Sequence, residues 1–326
     1  MWKYLLAAIM LPSLLFISCQ KNISDVKDVN ASQDGIVALL QSLSVDLNKT
    51  KDSQARNKTP RQASFQLLSF AIAKAGLANE LNDPKFAYTL FAPTDEAFTA
   101  LGLGTRQAIN SVPLEKLKAI LLYHVLGSKV MAAQVPVTYT ELTMLSNQKA
   151  YIIRRDASVF INGTAVVAAD IAAKNGVIHA IDRVLLPPAG NIVEVAAANP
   201  NFTYLVAAVQ KAGLVDALSG TGPLTVFAPT NQAFIDAGFP TISSIEAAPG
   251  SALIPILTYH VVAGRTFSSD LMNGQMLSML SGGMTTISLT NGAQIDGANS
   301  MPSNIIQTDV IATNGVIHAI DRVLIP

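Results

Sequence analysis

Apolar residues recur along this chain with two different periods, and the period changes partway through each half. From Leu67 to Leu77 they follow the three-to-four spacing of a helix with one buried face. Thr89 to Ala92 is a short apolar run that reads as a strand. Pro93-Thr94-Asp95 is turn chemistry leading into a second helix, with Thr94 or Asp95 as its N-cap. Pro113 suits a first helical turn, after which Leu114, Leu117, Ile120 and Leu121 share one face. From Val125 onward the composition turns to Val, Ile, Thr and Tyr bounded by Gly and Asn, which predicts strands. Late in this half, VVAADIA and VIHAIDRVL flank Ala173-Lys174-Asn175-Gly176, a hairpin in which Asn-Gly would supply positive φ angles. Helices come first and strands after, so the fold class is α+β.

The same succession appears twice. FQLLSFAIAKAGL from Phe65 is matched by FTYLVAAVQKAGL from Phe202, TLFAPTDEAF from Thr89 by TVFAPTNQAF from Thr225, and LLYHVLG from Leu121 by LTYHVVAG from Leu257. NGVIHAIDRVL runs from Asn175 to Leu185 and again, unchanged, from Asn314 to Leu324. A spacing near 137 residues is too long for a solenoid repeat and is the size of a whole domain. We therefore read a tandem duplication, with domains at 33–187 and 188–326. The identical block reads as a central strand with apolar side chains on both faces, where each substitution would cost packing. Upstream, GIVALLQSL from Gly35 resembles NIVEVAAAN from Asn191. If these are one helix, the first domain carries a polar insertion over about 44–62, expected as a solvated loop. The alternative is a separate amphipathic helix in the tether.

Half of the 326 residues are hydrophobic and 13% are charged, which excludes a disordered chain. Net charge is zero. No nucleic-acid partner is expected, because that binding rests on clustered Lys and Arg, and contacts with other partners should depend only weakly on salt. The one cysteine excludes an internal disulfide. It ends MWKYLLAAIMLPSLLFISC, where Lys3 precedes an apolar run and Ser18 precedes Cys19. Residues 1–18 read as a secretory signal and 19–32 as a tether. The Ser-Cys junction resembles a bacterial lipobox, in which the thiol receives lipid and holds the protein on a membrane.

Read together, the three duplicated blocks resemble the fasciclin-like (FAS1) family: Thr89–Phe98 and Thr225–Phe234, then Tyr123-His124 and Tyr259-His260, then Asn175–Leu185 and Asn314–Leu324. That resemblance implies two tandem β-wedge domains with helices packed on the sheets. It also implies adhesion or extracellular-matrix-type contact, usually without enzymatic activity, and a secreted or surface-anchored location in bacteria. Some animal members carry an adhesive Asp-Ile segment just before the last block. Its counterparts here are Asp170-Ile171 and Asp309-Val310, without the flanking proline and methionine, and they are carried as candidate binding residues.

All four histidines, His124, His179, His260 and His318, lie in duplicated blocks. A hydrolase reading pairs His124 with Asp95 as acid and base. The duplicated unit argues against it, since Asp95 becomes Asn231 while His260 stays. An amide cannot act as a general base, but it can hold a helix start. Two histidines per unit are too few for a zinc site. No metal, cofactor or catalytic residue is therefore assigned. The favoured function is a lipid-anchored envelope protein contacting glycans or surface proteins. The alternative is a small-molecule or polysaccharide pocket beside Tyr123-His124 and Tyr259-His260. Five of nine methionines lie between Met272 and Met301, which reads as gap-filling in strands or as a pliable contact surface.

Overall fold

A computed structural model describes residues 34–49 and 64–326. The signal segment, the tether, Cys19 and most of the expected insertion lie outside the described residues. The first domain contains helices α1 (Ile36–Lys49), α2 (Gln66–Ala75), α3 (Ala78–Leu81), α4 (Asp95–Ala100), α5 (Arg106–Ser111) and α6 (Leu114–Leu122). Its strands are β1 (Tyr88–Pro93), β2 (Val125–Leu126), β3 (Thr140–Thr143), β4 (Lys149–Arg155), β5 (Ser158–Ile161), β6 (Thr164–Ala173) and β7 (Gly176–Ile181). The second domain repeats this with α7 (Ile192–Ala197), α8 (Thr203–Lys211), α9 (Val215–Ser219), α10 (Asn231–Asp236), α11 (Ile242–Ala247) and α12 (Gly250–Thr258). Its strands are β8 (Leu224–Pro229), β9 (Val261–Ala263), β10 (Met276–Ser278), β11 (Met284–Ser288), β12 (Gln294–Asp296), β13 (Ser303–Ala312) and β14 (Gly315–Ile320).

The sheets have one topology used twice: β2-β1-β7-β6-β5-β4-β3 and, in the same sense, β9-β8-β14-β13-β12-β11-β10. The duplicated block forms β7 and β14. Each is a fully buried central strand, parallel to β1 or β8 on one side and antiparallel to β6 or β13 on the other. Alternation along the strands builds two cores per domain. In β1 and β7, Leu90, Ala92, Ile178 and Ala180 face the helices, while Phe91 and Ile181 face the other way. There they meet Ile152, Val159 and Ile161 of the meander, which curls over the sheet to make the wedge. Phe227 and Ile320 meet Ile287 and Ile295 in the same way.

Two expectations need correction. The stretch 44–62 was expected as a loop, but α1 continues to Lys49; nothing in its sequence to that point is Gly or Pro, so nothing stops the helix. The positive φ expected of Asn-Gly falls on Gly176 alone, at 159°, and not on Lys174 or Asn175, the two central residues of the turn. Asn175 is instead a buried clamp. Its Oδ1 accepts from Ile36 N at 2.9 Å and its Nδ2 donates to Leu81 O at 2.7 Å. Gly176 is required by close approach, since a Cβ there would lie 2.1 Å from the Tyr88 carbonyl on the parallel neighbour. Asn314 holds Ile192 N and Leu218 O in the same way, and Gly315 meets the Leu224 carbonyl at the same 2.1 Å. These equivalent bonds identify α1 with α7, so GIVALLQSL belongs to the domain and not to the tether.

Candidate functional site

Tyr123, His124, Tyr259 and His260 are buried, with His124 1% exposed. Each pair follows the last turn of a helix, α6 or α12, and packs under the sheet. His124 Nδ1 donates to Ile120 O at 2.7 Å, and its Nε2 accepts from Leu185 N at 2.9 Å. His260 repeats this with Ile256 O at 2.8 Å and Leu324 N at 2.8 Å. An imidazole that donates through one nitrogen and accepts through the other is neutral. Burial pushes both down to about 4, against a smaller opposing pull from the carbonyl each donates to. The Tyr123 hydroxyl donates to Lys149 O at 2.7 Å and accepts from Asn162 Nδ2 at 3.0 Å; burial pushes it up to about 12. Tyr259 donates to Met284 O at 2.6 Å. These four side chains staple the end of a helix to the meander and to the strand exit. Beside His260 lies an apolar cavity of about 30 Å³, room for roughly one water.

Asp95 and His124 share no hydrogen bond. Thr94 is the N-cap of α4, through Ala97 N at 3.3 Å. Asp95 reaches back to the start of α2, accepting from Leu67 N at 2.8 Å and Ser64 Oγ at 2.5 Å. Asn231 does the same for α8 through Tyr204 N at 3.1 Å. The change from carboxylate to amide therefore keeps a helix start, though that of another helix than the sequence suggested.

Asp170 and Asp309 sit in bulges of β6 and β13, both with φ of 60°. Asp tolerates that left-handed geometry better than most residues. The backbone N–H of each donates to the histidine nine residues on, His179 or His318, at 3.2 and 3.3 Å. Those histidines in turn donate to Val130 O and Thr266 O, both at 2.9 Å. One oxygen of each carboxylate accepts the first N–H of a short 3₁₀ turn, Ala132 N at 2.8 Å or Ser268 N at 2.7 Å. The two copies then part company. Both residues are half-buried, but the Asp309 side chain is only 3% exposed because it lies in the contact between the domains. There Arg183 Nη2 of the first domain meets its Oδ2 at 3.0 Å. Ile171 and Val310 are half-buried against the helix-side cores.

The domain contact uses residues that no motif marked. Tyr139 Oη donates to Asp270 Oδ1 at 2.5 Å, and Arg155 bonds both that carboxylate and Ser269 O. The Arg265 guanidinium lies 4.2 Å over the Tyr151 ring and donates to its hydroxyl at 3.3 Å. The available sequence signal was difference between the units outside the duplicated blocks. Equal register places Glu141 opposite Tyr151 in the first domain and Met276 opposite Thr286 in the second. Among the described residues no cluster of His, Cys, Asp and Glu could hold a metal ion, and no helix is long and apolar enough to cross a membrane.

The Fasciclin domain profile matches residues 63–187 and 200–326. Transforming growth factor-beta-induced protein ig-h3 of Sus scrofa is 32% identical over 242 residues, covering 74% of this chain and 35% of that protein. Protein sll1483 of Synechocystis is 44% identical over 136 residues, 41% of this chain and 73% of its own length. Human periostin is 28% identical over 249 residues, 74% of this chain and 29% of its length. The chain thus spans about a third of the length of these two animal relatives. A solved FAS1 domain pair from the insect cell adhesion molecule Fasciclin I aligns with a TM-score of 0.40 and 20% identity, over 80% of this chain and 97% of that one. Two successive matches cover most of the sequence, each on one of the two sheets, and on that ground this chain belongs to the fasciclin domain family.

Proposed function

We propose that this protein is a non-enzymatic, lipid-anchored protein of the bacterial cell envelope. It would make adhesion-type contacts with extracellular macromolecules, glycans or surface proteins, through its paired domains. One observation carries the reading: the polar groups of the duplicated motifs are consumed inside the fold. His124 and His260 are neutral and doubly bonded, Asp95 holds a helix start, and Asn175 is a clamp. What the protein offers to others is therefore its surface. Family membership supports the adhesive role, and Cys19 supports the anchor. Two contact domains on one tether raise avidity without strong single-site affinity.

The test has two arms. Wild-type and Cys19→Ala chains are labelled in cells with an alkyne fatty acid and fractionated. The wild type should carry label in the membrane fraction, and the variant should lose both the label and the membrane. The Cys19→Ala chain, coupled to beads, is then screened for retention on envelope polysaccharides and surface proteins. An unlabelled wild type removes the anchor from the reading; beads retained by nothing remove the adhesion.

A further inference from the structure

Where the domains meet they enclose a cleft of about 500 Å³. Tyr139, Glu141 and Tyr151 line it from the first domain, and Thr221, Arg265 and Thr313 from the second. A recess of about 190 Å³ shares Tyr151 and Thr313 with it and adds Gln148 and Lys149, so the two run on as one groove along the junction. The geometry points to this groove as a binding site for an oligosaccharide segment. The inference rests on the adhesive reading above and narrows it to a ligand class and a place.

Three observations carry it. The first is chemical. A sugar ring has an apolar C–H face and a rim of hydroxyls. It is held by aromatic surface next to charged and hydroxylic side chains that trade hydrogen bonds with that rim. The groove supplies both. Tyr139 and Tyr151 are half-buried, Glu141 is an exposed carboxylate, and the exposed Thr221 and Thr313 hydroxyls have no hydrogen-bond partner among the described residues. Glu141 lies 3.0 Å from Lys149, and that bond first, then the lysine charge, holds its carboxyl below the usual range. It is thus an ionised acceptor with a donor beside it.

The second observation is rigidity. Tyr139 is fixed by its bond to Asp270 and by the Phe267 ring at 5.4 Å. Tyr151 is fixed by Arg265, whose guanidinium is itself held by the carbonyls of Ala312 and Gly315. A wall that is already ordered loses little entropy when a ligand docks.

The third is that the fold does not require these side chains. The positions of Glu141, Lys149 and Tyr151 fall at Met276, Met284 and Thr286 in the second domain, in the same strand register. The tyrosine hydroxyl bonds to the Lys149 and Met284 carbonyls confirm the match. The second domain builds the same sheet without them. Other ligand classes fit less well. The Arg265 guanidinium is committed to carbonyls and Lys149 to Glu141, which leaves little free positive charge for a polyanion. A peptide could pair with β3, the outermost strand of its sheet, but the groove offers no deep apolar pocket for side chains.

The test uses the full chain with Cys19→Ala, titrated calorimetrically with four neutral hexasaccharides, of glucose, N-acetylglucosamine, xylose and mannose. Glu141→Ala and Thr313→Trp are compared. Both side chains are exposed, and the second fills the groove; equal unfolding midpoints verify that each variant folds. At least one sugar should bind with a Kd of about 10 μM to 1 mM, and each variant should weaken it at least tenfold. Binding that both variants leave unchanged overturns the site. If no sugar binds while beads are still retained on surface proteins, this inference falls and the adhesive reading stands. If a bound peptide instead protects the β3 amides from hydrogen exchange, the ligand class is wrong.

Discussion

Lowering the pH should destabilise both domains through His124 and His260 before ordinary acid denaturation begins. In the folded protein each imidazole titrates at about 4, against an ordinary value of 6.5. Burial is the main cause, and the donor bond to a backbone carbonyl offsets only part of it. The sign follows from counting protons. Between pH 6.5 and about 4 the unfolded chain takes up a proton that the folded chain refuses, so stability falls as pH falls through this window. It is full above 6.5, and these two groups contribute no further change below about 4. At 1.36 kcal/mol per unit, going from about pH 7 to about pH 4.5 costs each domain roughly 2 kcal/mol. His179 and His318 are lowered by burial as well and act in the same direction. For a domain of this size, 2 kcal/mol moves a urea midpoint by about 1 M. Urea titrations followed by far-ultraviolet circular dichroism at both pH values, at constant ionic strength, measure it directly. The double variant His124→Gln, His260→Gln should be less stable at neutral pH and should lose at least half of the pH dependence. Midpoints that coincide at the two pH values, or a double variant with an undiminished slope, would refute the reasoning.

Two further outcomes test the same account of the motifs. Gly176→Ala places a methyl 2.1 Å from the Tyr88 carbonyl in a buried parallel pair, so the first domain should lose about 4 kcal/mol or more, read as loss of one of two unfolding transitions. Asp95→Asn copies what the second domain already has in Asn231, and should change the midpoint of the first domain by less than about 1 kcal/mol in the same denaturation assay.

Much of the architecture was legible beforehand. The stretch read from Leu67 is helical as far as Ala75, where Gly76 caps it short of Leu77; the face holding Leu117, Ile120 and Leu121 is helical, Thr89–Ala92 is strand, and the tandem α+β organisation is as read. Period and repetition are local properties, written in the order of residues, and they survive in any compact arrangement of the elements. Leu114, by contrast, sits 43% exposed at the start of α6, because a first turn can face water while the rest of the stripe is covered.

The polar fixtures were harder to place. The role of Asn175 depends on α1, 139 residues away, and the glycine beside it answers to a carbonyl on a parallel strand. Only the register of β1 on β7 brings those groups together, so a turn rule applied to the local sequence chose the wrong reason for the right residue. Tyr139, Arg155, Arg265 and Asp270 were silent for the same cause: they bond across 114 to 131 positions of chain between two domains.

From its sequence alone this protein was determined to be one domain fold repeated, with its strands, helices and invariant blocks. Tertiary structure alone decided which polar groups are spent internally and which stand at the junction. Hydrophobic periodicity is a short-range property, whereas a hydrogen bond between distant residues exists only once packing has set both ends within 3 Å of each other.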